Sequence, residues 1–320
     1  MIEHIHWGLP VIGYLFLAGL GAGAYTVSGS VLLRGGGGGF AQQHFQLARY
    51  GALLAPLPVI IGTGLLILEL GSFEVGNYFR FINLFLTINL SPMSIGSWFL
   101  GVFILASLAY AYTFWSSDCK PGDEMHYLRR RLAWIGVPLG IGVAVYTGVL
   151  LGAMPARPFW NSPVLALLFL VSALSTGVAG ILLLHALFGG GEGEGETPSH
   201  NEGGYILAAS DTILIGFELL VIFMFIMFAY LTVGNVKEAV SVILSGGSMA
   251  ALFWLGVVVL GLLLPVLIEL KYVIPKLLYH NEYTAPRGVE LLVPIMILIG
   301  GFLLRYVVVI AGQITGPVGI

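Results

Sequence analysis

The sequence predicts an all-α integral membrane protein, with eight transmembrane helices in two four-helix bundles. Of its 320 residues, 58% are hydrophobic and 9% are charged, whereas a soluble domain has about 25% charged residues. Eight apolar stretches approach or exceed the roughly 20 residues with which a helix crosses a bilayer. Apolar and polar residues do not alternate along these stretches, as they would in a membrane β-barrel. Together, these observations argue against a soluble domain and against a membrane β-barrel, and they indicate a helical membrane protein.

The predicted spans follow one another through the whole chain. The residues before the first span lack the basic segment of a cleavable signal peptide, so we expect this helix to be retained. In chain order, the spans are Leu9–Leu33, Leu47–Leu70, Pro92–Trp115, Leu132–Met154, Val164–Leu187, Tyr205–Leu231, Met249–Leu270 and Glu290–Gln313.

Glycine-rich segments separate some of these spans. The run Gly35–Gly39 follows the first span, and Gly189–Gly204 follows the fifth. Alternating Gly and Glu cannot pack a core, so the second segment predicts a flexible loop. We therefore expect residues 1–188 to contain the first bundle, with helix 5 starting the second half at about residue 164. Residues 189–204 form the loop, and residues 205–320 hold helices 6–8, which complete the second bundle.

A short similarity between helices 1 and 5 supports two related halves. Leu20–Gly23 resembles Leu174–Gly177, and both segments are rich in small residues. Small residues let membrane helices approach closely. The similarity therefore fits either an internal duplication or ordinary close packing of two helices.

The orientation follows from the Lys and Arg residues of the loops, which favour the cytoplasmic side. Loops 1–2, 3–4 and 7–8 carry nine such residues, and the opposite face carries three, namely Arg80, Arg157 and Lys237. This bias places loops 1–2, 3–4, 5–6 and 7–8 in the cytoplasm. Both termini, the Phe73–Ser91 loop and the Pro155–Pro163 loop are then predicted to face outward from the cell inner membrane.

Six ionisable residues lie within or against the spans: Glu69, Arg157, Asp211, Glu218, Glu269 and Arg305. Charge in hydrocarbon is costly, so each is a functional candidate. Asp211 and Glu218 are two helical turns apart and share one face of helix 6, which suggests either a proton pathway or a structural network with a neighbouring cation. Arg305 is a candidate partner for a carboxylate or a ligand. Glu269, beside Lys271 near the inner end of helix 7, is expected to be solvated.

Three polar side chains lie at a similar depth near the predicted outer ends of helices 1, 2 and 4: Tyr14, Glu69 and Tyr146. A tyrosine hydroxyl at membrane depth usually finds a partner. Taken singly, each residue also fits a position wetted by lipid headgroups. Their common depth predicts that the three share a pocket.

The outer segment Pro155–Pro163 is too rich in proline to be a floppy loop. It presents Arg157, Trp160 and Asn161. We expect these residues either to contact a partner at the outer surface or to form a rigid turn that anchors in the headgroups.

The remaining composition bears on cofactors and partners. No pair of histidines lies within the spans to grip a haem, and no metal-binding motif is present, so we expect neither haem nor metal in this protein. The single cysteine, Cys119, cannot hold an iron–sulfur cluster. The net charge of -3 argues against a nucleic-acid partner.

Several of these segments resemble the NrfD-like family, the membrane subunits of polysulfide reductase and its relatives. Trp7–Gly23 resembles the family's first helix, and Ser91–Trp98 resembles the start of its third. The most specific similarity runs from Tyr146-Thr147-Gly148 to the block Arg157–Asn161. Arg305-Tyr306 and Ala311–Gln313 resemble the end of its last helix. The resemblance covers the whole chain, including the number of helices.

The resemblance implies a subunit that binds a quinone or quinol, menaquinone in particular, near the outer face. It implies a 4Fe–4S ferredoxin-like partner subunit, which serves a molybdopterin catalytic subunit or a multihaem cytochrome. Tyr146 and Glu69 fall at the family's quinone-bonding tyrosine and nearby carboxylate, the predicted catalytic pair. Tyr14 falls where polysulfide reductase has a histidine, and a phenol cannot take up a proton as imidazole does. Thr147 and Arg305 complete the predicted cofactor-binding set.

The expected function is therefore a quinone/quinol-interacting membrane anchor of an anaerobic respiratory oxidoreductase complex. Glu69 would handle a proton and Arg305 would hold the local carboxylate charge. Proton translocation through Asp211 and Glu218 is an extension of this hypothesis. The alternative is a proton-coupled secondary transporter, which the two halves and the glycine-interrupted helices also fit.

Overall fold

The computed structural model describes residues 7–34, 40–69, 82, 92–115, 120–188, 198–232, 234–279, 282–283 and 285–316. Within these residues, eight helices are long and apolar enough to cross a membrane, which confirms the predicted number. The Gly35–Gly39 run, Cys119, residues 189–197 of the Gly/Glu loop and nearly all of the Phe73–Ser91 loop lie outside the described residues.

The eight spanning helices, α1 to α8, alternate in direction through the membrane. They are α1 Leu9–Leu33, α2 Phe45–Glu69, α3 Pro92–Tyr112, α4 His126–Gly152, α5 Val164–Phe188, α6 Pro198–Leu231, α7 Ser248–Tyr279 and α8 Arg287–Ile314. We call the end that holds Leu9, Glu69 and Ile314 the outer pole and the opposite end the inner pole, after the predicted orientation. Because the number of spans is even, both ends of the described chain lie at the outer pole.

Two of these helices have irregular backbones. Helix α2 consists of two segments, and Pro56, which has no N–H to donate, starts the second. Helix α7 contains a π-helical stretch, Leu252–Leu263, between two α-helical parts. A short amphipathic helix, Asn235–Leu244, precedes α7 at the outer pole and buries Ala239, Val240 and Ile243.

Helices α1 and α5 lie at the centre of the fold. Helix α1 packs against α2, α4, α5 and α8, and α5 also packs against α4, α6 and α8. Where α1 crosses α5, a Cβ on Gly23 would collide with the Ala173 carbonyl, and one on Gly177 would collide with the Gly23 backbone. The two similar segments noted in the sequence therefore meet each other at this crossing. Since α5 contacts helices of both halves, the division into two four-helix bundles remains a prediction.

Candidate functional site

The predicted outer pocket begins where α2 ends beside the start of α1. Glu69 is the last residue of α2 and is partly buried. Its Oε1 accepts a hydrogen bond of 3.4 Å from the backbone N–H of Gly8, the residue that caps α1. The N-terminus of a helix carries partial positive charge, which favours a carboxylate at this position. Glu69 is thus held at the mouth of the bundle while part of it stays accessible.

Tyr14 lies six residues further along α1, about 9 Å deeper by the rise of an α-helix. Its side chain has no exposed surface. Its hydroxyl has no hydrogen-bond partner among the described residues. A buried hydroxyl without a partner costs on the order of 1–3 kcal/mol. The position therefore suits a bound molecule that offers an acceptor.

Tyr146 completes this region from α4. Its ring lies directly against Gly96 near the start of α3, where a Cβ would overlap the phenol. Tyr146 is half-buried and interacts electrostatically with Tyr14. The fold thus brings Glu69, Tyr14 and Tyr146 to one end of α1, α2 and α4, and α3 forms the neighbouring wall.

Thr147 offers less than its neighbour Tyr146. It is buried, and its hydroxyl donates a 2.7 Å hydrogen bond to the Ala144 carbonyl of its own helix. The hydroxyl proton is already used, so Thr147 could only accept a hydrogen bond from a ligand. Its place in the cofactor-binding set remains a prediction.

Arg305 lies where α8 meets α5 and α1, and its place in the cofactor-binding set stays a prediction. Its Nη1 donates to Ser172 Oγ at 2.6 Å and to the Gly301 carbonyl at 2.8 Å. The guanidinium carbon lies 5.9 Å from the Phe16 ring centroid and 5.4 Å from that of Phe169. The carboxylate that Arg305 faces electrostatically is Glu218. Arg305 is therefore a partner for a buried acid.

Glu218 and Arg305 are joined through Ser172. Glu218 is 3% exposed, Arg305 is fully buried, and the Ser172 hydroxyl interacts with both. A hydroxyl that accepts from a guanidinium keeps its own proton free to donate to a carboxylate. The structure thus joins Glu218 to a neighbouring cation through Ser172, and a proton pathway through Glu218 stays a prediction.

A second acidic pair lies where α6 meets α7. Asp211 Oδ1 accepts a 2.9 Å hydrogen bond from Ser175, and Glu269 Oε2 accepts one of 2.9 Å from Thr212. Glu269 is 4% exposed, so the expectation that it is solvated was wrong. Residues two apart on a helix point in different directions, so Lys271 does not accompany Glu269. The signal that could have revealed it is a carboxylate on an otherwise apolar helix.

The outer segment between α4 and α5 holds several helices together. Trp160 is 2% exposed, stacks on Trp7 with ring centroids 5.3 Å apart, and donates from Nε1 to the Val308 carbonyl at 2.7 Å. Arg157 donates from Nη1 to the Gln313 carbonyl at 2.8 Å. Trp160 is therefore not displayed at the surface as expected, because it packs on α1 and α8, whereas Asn161 is exposed.

Gln313 connects the two ends of the described chain. Its Oε1 accepts a 2.9 Å hydrogen bond from the Trp7 backbone N–H, and its Nε2 donates one of 2.9 Å to the Trp7 carbonyl. Together with the contacts of Arg157 and Trp160, these two hydrogen bonds fix the start of α1 to the end of α8. The mouth of the candidate site is thereby held rigid on one side.

Among the described residues, no group of three or more His, Cys, Asp and Glu side chains is arranged to hold a metal ion. The chemistry that the outer residues offer is hydrogen bonding by two phenols and proton exchange at one carboxylate. The chemistry of the second half is that of buried acids bridged by hydroxyls.

Comparisons with known proteins place these features in context. The profile of the family described as "Polysulphide reductase, NrfD" matches residues 1–317. A polysulfide reductase component of Wolinella succinogenes is 32% identical over 318 residues, covering 96% of this protein and 94% of the relative. Protein NrfD of Escherichia coli is 27% identical, with 98% and 96% covered. A selenate reductase component of Mesobacillus selenatarsenatis is 23% identical, with 84% and 67% covered.

Proposed function

Because the chain belongs to the NrfD/polysulphide reductase family, we propose that it is a quinone/quinol-interacting membrane anchor that exchanges electrons between the quinone pool and an iron–sulfur partner subunit. Two of its relatives are named as components of reductases. Eight apolar helices suit the role of an anchor. The complex would be a respiratory oxidoreductase in the cell inner membrane, with the outer pole away from the cytoplasm.

The observation that carries the quinone part of this proposal is the buried hydroxyl of Tyr14, which has no partner among the described residues and interacts electrostatically with Tyr146. A quinone has an apolar tail that suits lipid and two carbonyl oxygens that need hydrogen-bond donors. Two phenols on neighbouring helices supply donors of this kind. The outer residues therefore fit the ring of a quinone, and menaquinone is the form we expect.

The residues of the site divide the work between orientation and proton exchange. When bound, a quinol supplies two electrons and two protons. Tyr14 and Tyr146 would hold the ring oxygens in place by hydrogen bonds. Glu69, partly accessible at the mouth, would accept the two protons one after the other and release each to water, while the N–H of Gly8 stabilises its charged form.

The electrons would leave to another protein at the outer pole. The single cysteine of the sequence cannot hold an iron–sulfur cluster, so we place the cluster on a 4Fe–4S ferredoxin-like partner. That partner would pass electrons to or from a molybdopterin subunit or a multihaem cytochrome. The exposed Asn161, on the segment that Arg157 fixes to α8, is the residue we expect to meet it.

The test is Tyr146→Phe and Tyr14→Phe in the purified complex, with a soluble quinol analogue as the reductant. Each change removes one donor, and we expect kcat/KM to fall about tenfold or more, since a lost hydrogen bond at a buried polar atom costs roughly 1–3 kcal/mol. Tyr25→Phe is the matched control on the same helix. Tyr25 donates a 2.9 Å hydrogen bond to the Leu132 carbonyl nearer the inner pole, so its loss should lower stability without changing kcat/KM.

Full quinol activity in both Tyr14→Phe and Tyr146→Phe would remove the proposed site. A proton-coupled secondary transporter, the alternative, would instead move a solute across liposomes without any partner subunit. Co-purification of redox subunits with the tagged protein distinguishes the two functions.

A further inference from the structure

The contact between α6 and α7 contains two carboxyl groups that are each only half satisfied. Asp211 is fully buried and Glu269 is 4% exposed. One oxygen of each accepts a hydrogen bond from a hydroxyl, but Asp211 Oδ2 and Glu269 Oε1 have no partner among the described residues. Of the charged groups around Glu269, Asp211 acts on it most strongly. Because Glu269 is hydrogen-bonded to Thr212, the residue that follows Asp211, both acids with an orphan oxygen lie at the same buried helix contact.

Two negative charges cannot be accommodated at this contact. Neither acid has a Lys or Arg of the described residues within ion-pair distance, and Asp211 also faces the electrostatic effect of another acid, Glu218. An unpaired charge in such surroundings costs several kcal/mol. A single proton resolves the conflict, because the protonated acid donates to the orphan oxygen of the other, directly or through one water.

The pair is connected to the inner pole by polar groups. Tyr283, in the segment between α7 and α8, is buried and interacts electrostatically with Glu269, with Glu290 at the start of α8 and with Tyr272. Both Tyr283 and Glu290 lie close to Gly204 near the start of α6, where a Cβ would come within 3.4 Å and 3.6 Å of them. Glu290 and Tyr283 therefore lead from the inner surface to Glu269.

We infer that Asp211 and Glu269 share one exchangeable proton across the α6–α7 contact, and that Glu269 is the acid that takes it up from the inner side. The part of this inference that concerns turnover rests on the proposed function, and it adds Glu269 to the proton movement through Asp211 and Glu218 that the sequence suggested. A proton arriving at Glu269 from water is matched by one leaving Asp211 toward Glu218. The pair therefore carries one negative charge before and after each transfer.

The first experiment is infrared difference spectroscopy of the purified, intact complex, without quinol, in the carboxylic acid C=O region. Wild type should show one protonated carboxyl from this pair. In Glu269→Gln or Asp211→Asn, the new amide donates to the remaining acid, which stays ionised, so both single variants should lose the same band. Glu282→Gln, which alters an exposed acid at the same pole, should keep it.

Two spectroscopic outcomes would overturn the inference. Loss of only half the band in each single variant would mean that both acids are protonated independently. An unchanged band in both variants would mean that the pair holds no proton. Binding of Na⁺ to wild type but not to Glu269→Gln, measured with the cation alone, would assign the orphan oxygens to a metal ion instead.

The second experiment follows proton uptake by the complex in liposomes during quinol turnover. Glu269→Gln should slow uptake from the inner side by roughly a hundredfold, the scale on which positioned acids and bases contribute to proton transfer. Uptake at the wild-type rate would refute the role of Glu269. If wild type shows no quinol turnover, the proposed function fails while the quinol-free infrared test of the shared proton still stands.

Discussion

The outer pocket and the buried acids of the second half differ in their exposure and in the groups that bridge their polar side chains. Around the outer pocket, Glu69 and Tyr146 are partly accessible, and the Tyr14 hydroxyl has no protein partner among the described residues. In the second half, the acids and Arg305 are all at most 4% exposed and are bridged by Ser172, Ser175 and Thr212. The first arrangement leaves hydrogen-bond donors for a molecule that binds from outside, whereas the second links helices through hydroxyl groups around buried acids and a buried guanidinium.

Removing Arg305, the buried cation of the second half, should have the largest effect on stability. Arg305→Met leaves Glu218 buried without the cation that faces it across Ser172, and a buried charge that loses its compensating partner costs about 3–5 kcal/mol. We therefore expect the unfolding temperature of the detergent-solubilised protein to fall. Arg305→Met combined with Glu218→Gln should recover part of the loss, and Lys271→Met, at an exposed position, should change little. Equal losses in the single and double variants would contradict the pairing.

Substitutions at two glycines test whether Tyr146 belongs to the outer pocket. A Cβ on Gly96 would overlap the Tyr146 ring, whereas a Cβ on Gly64 meets nothing within 4 Å. Gly96→Ala should displace the phenol at a cost of about 1–3 kcal/mol, and the apparent affinity for quinol should fall by roughly tenfold, which corresponds to 1.4 kcal/mol. Gly64→Ala should leave affinity unchanged. Affinity for quinol is measured by titration of both variants. Equal affinities would show that Tyr146 is not part of the site.

The outer segment offers a comparison between a buried residue and an exposed one. Trp160→Phe removes the hydrogen bond to the Val308 carbonyl, so we expect a loss of stability of about 1–2 kcal/mol. Asn161→Ala should not alter the unfolding temperature but should weaken co-purification of the partner subunit. The opposite pattern, with Asn161 important for stability and Trp160 for the partner, would reverse our assignment.

The smallest effect is expected at an ion pair that water can reach. Arg129 Nη1 lies 2.7 Å from Asp123 Oδ1 at the inner pole. Partial burial raises the pKa of Asp123, but the hydrogen bond and charge of Arg129 outweigh this and the pKa is lowered overall. A lowered pKa means that the stabilisation is present above the unfolded-state pKa of about 4 and disappears as the pH falls below it.

Unfolding of wild type and Asp123→Asn at several pH values measures this contribution. At neutral pH wild type should be more stable by at most about 1 kcal/mol, as for other partly exposed pairs. The difference should begin to shrink below about pH 4, where Asp123 of the unfolded chain takes up a proton, and should close once the pH is below the lowered pKa of Asp123 in the folded protein. A difference that persists in acid would show that the charge of Asp123 is not its cause.

The sequence was most informative about elements that depend on local composition. The predicted first span coincides with α1, and the other spans agree with the helices to within several residues at most ends, the inner ends of α6 and α7 extending furthest beyond them, because hydropathy alone decides which stretches enter lipid. Tyr14, Glu69 and Tyr146 were grouped by depth, which the alternation of helix direction fixes.

What the sequence could not supply is the direction in which a side chain points between helices. The sequence predicts that Arg305 holds the charge of a local carboxylate, but only the structure identifies Glu218 as the acid that it faces. Glu269 was judged by its neighbour in sequence, although the helix turns Lys271 away from it. Trp160 was judged by its position in a loop, although the close approach of Gly312 on α8 leaves room for its indole.

The π-helical stretch Leu252–Leu263 determines the direction, around the axis of α7, in which every later side chain of that helix points. One residue of an α-helix corresponds to a rotation of about 100°, so insertion or deletion of a single residue in this stretch would swing Glu269 by more than a quarter turn away from Asp211. The π-helical stretch thus sets the rotation of the rest of α7, because its backbone hydrogen-bond pattern decides which neighbouring helix Glu269 faces.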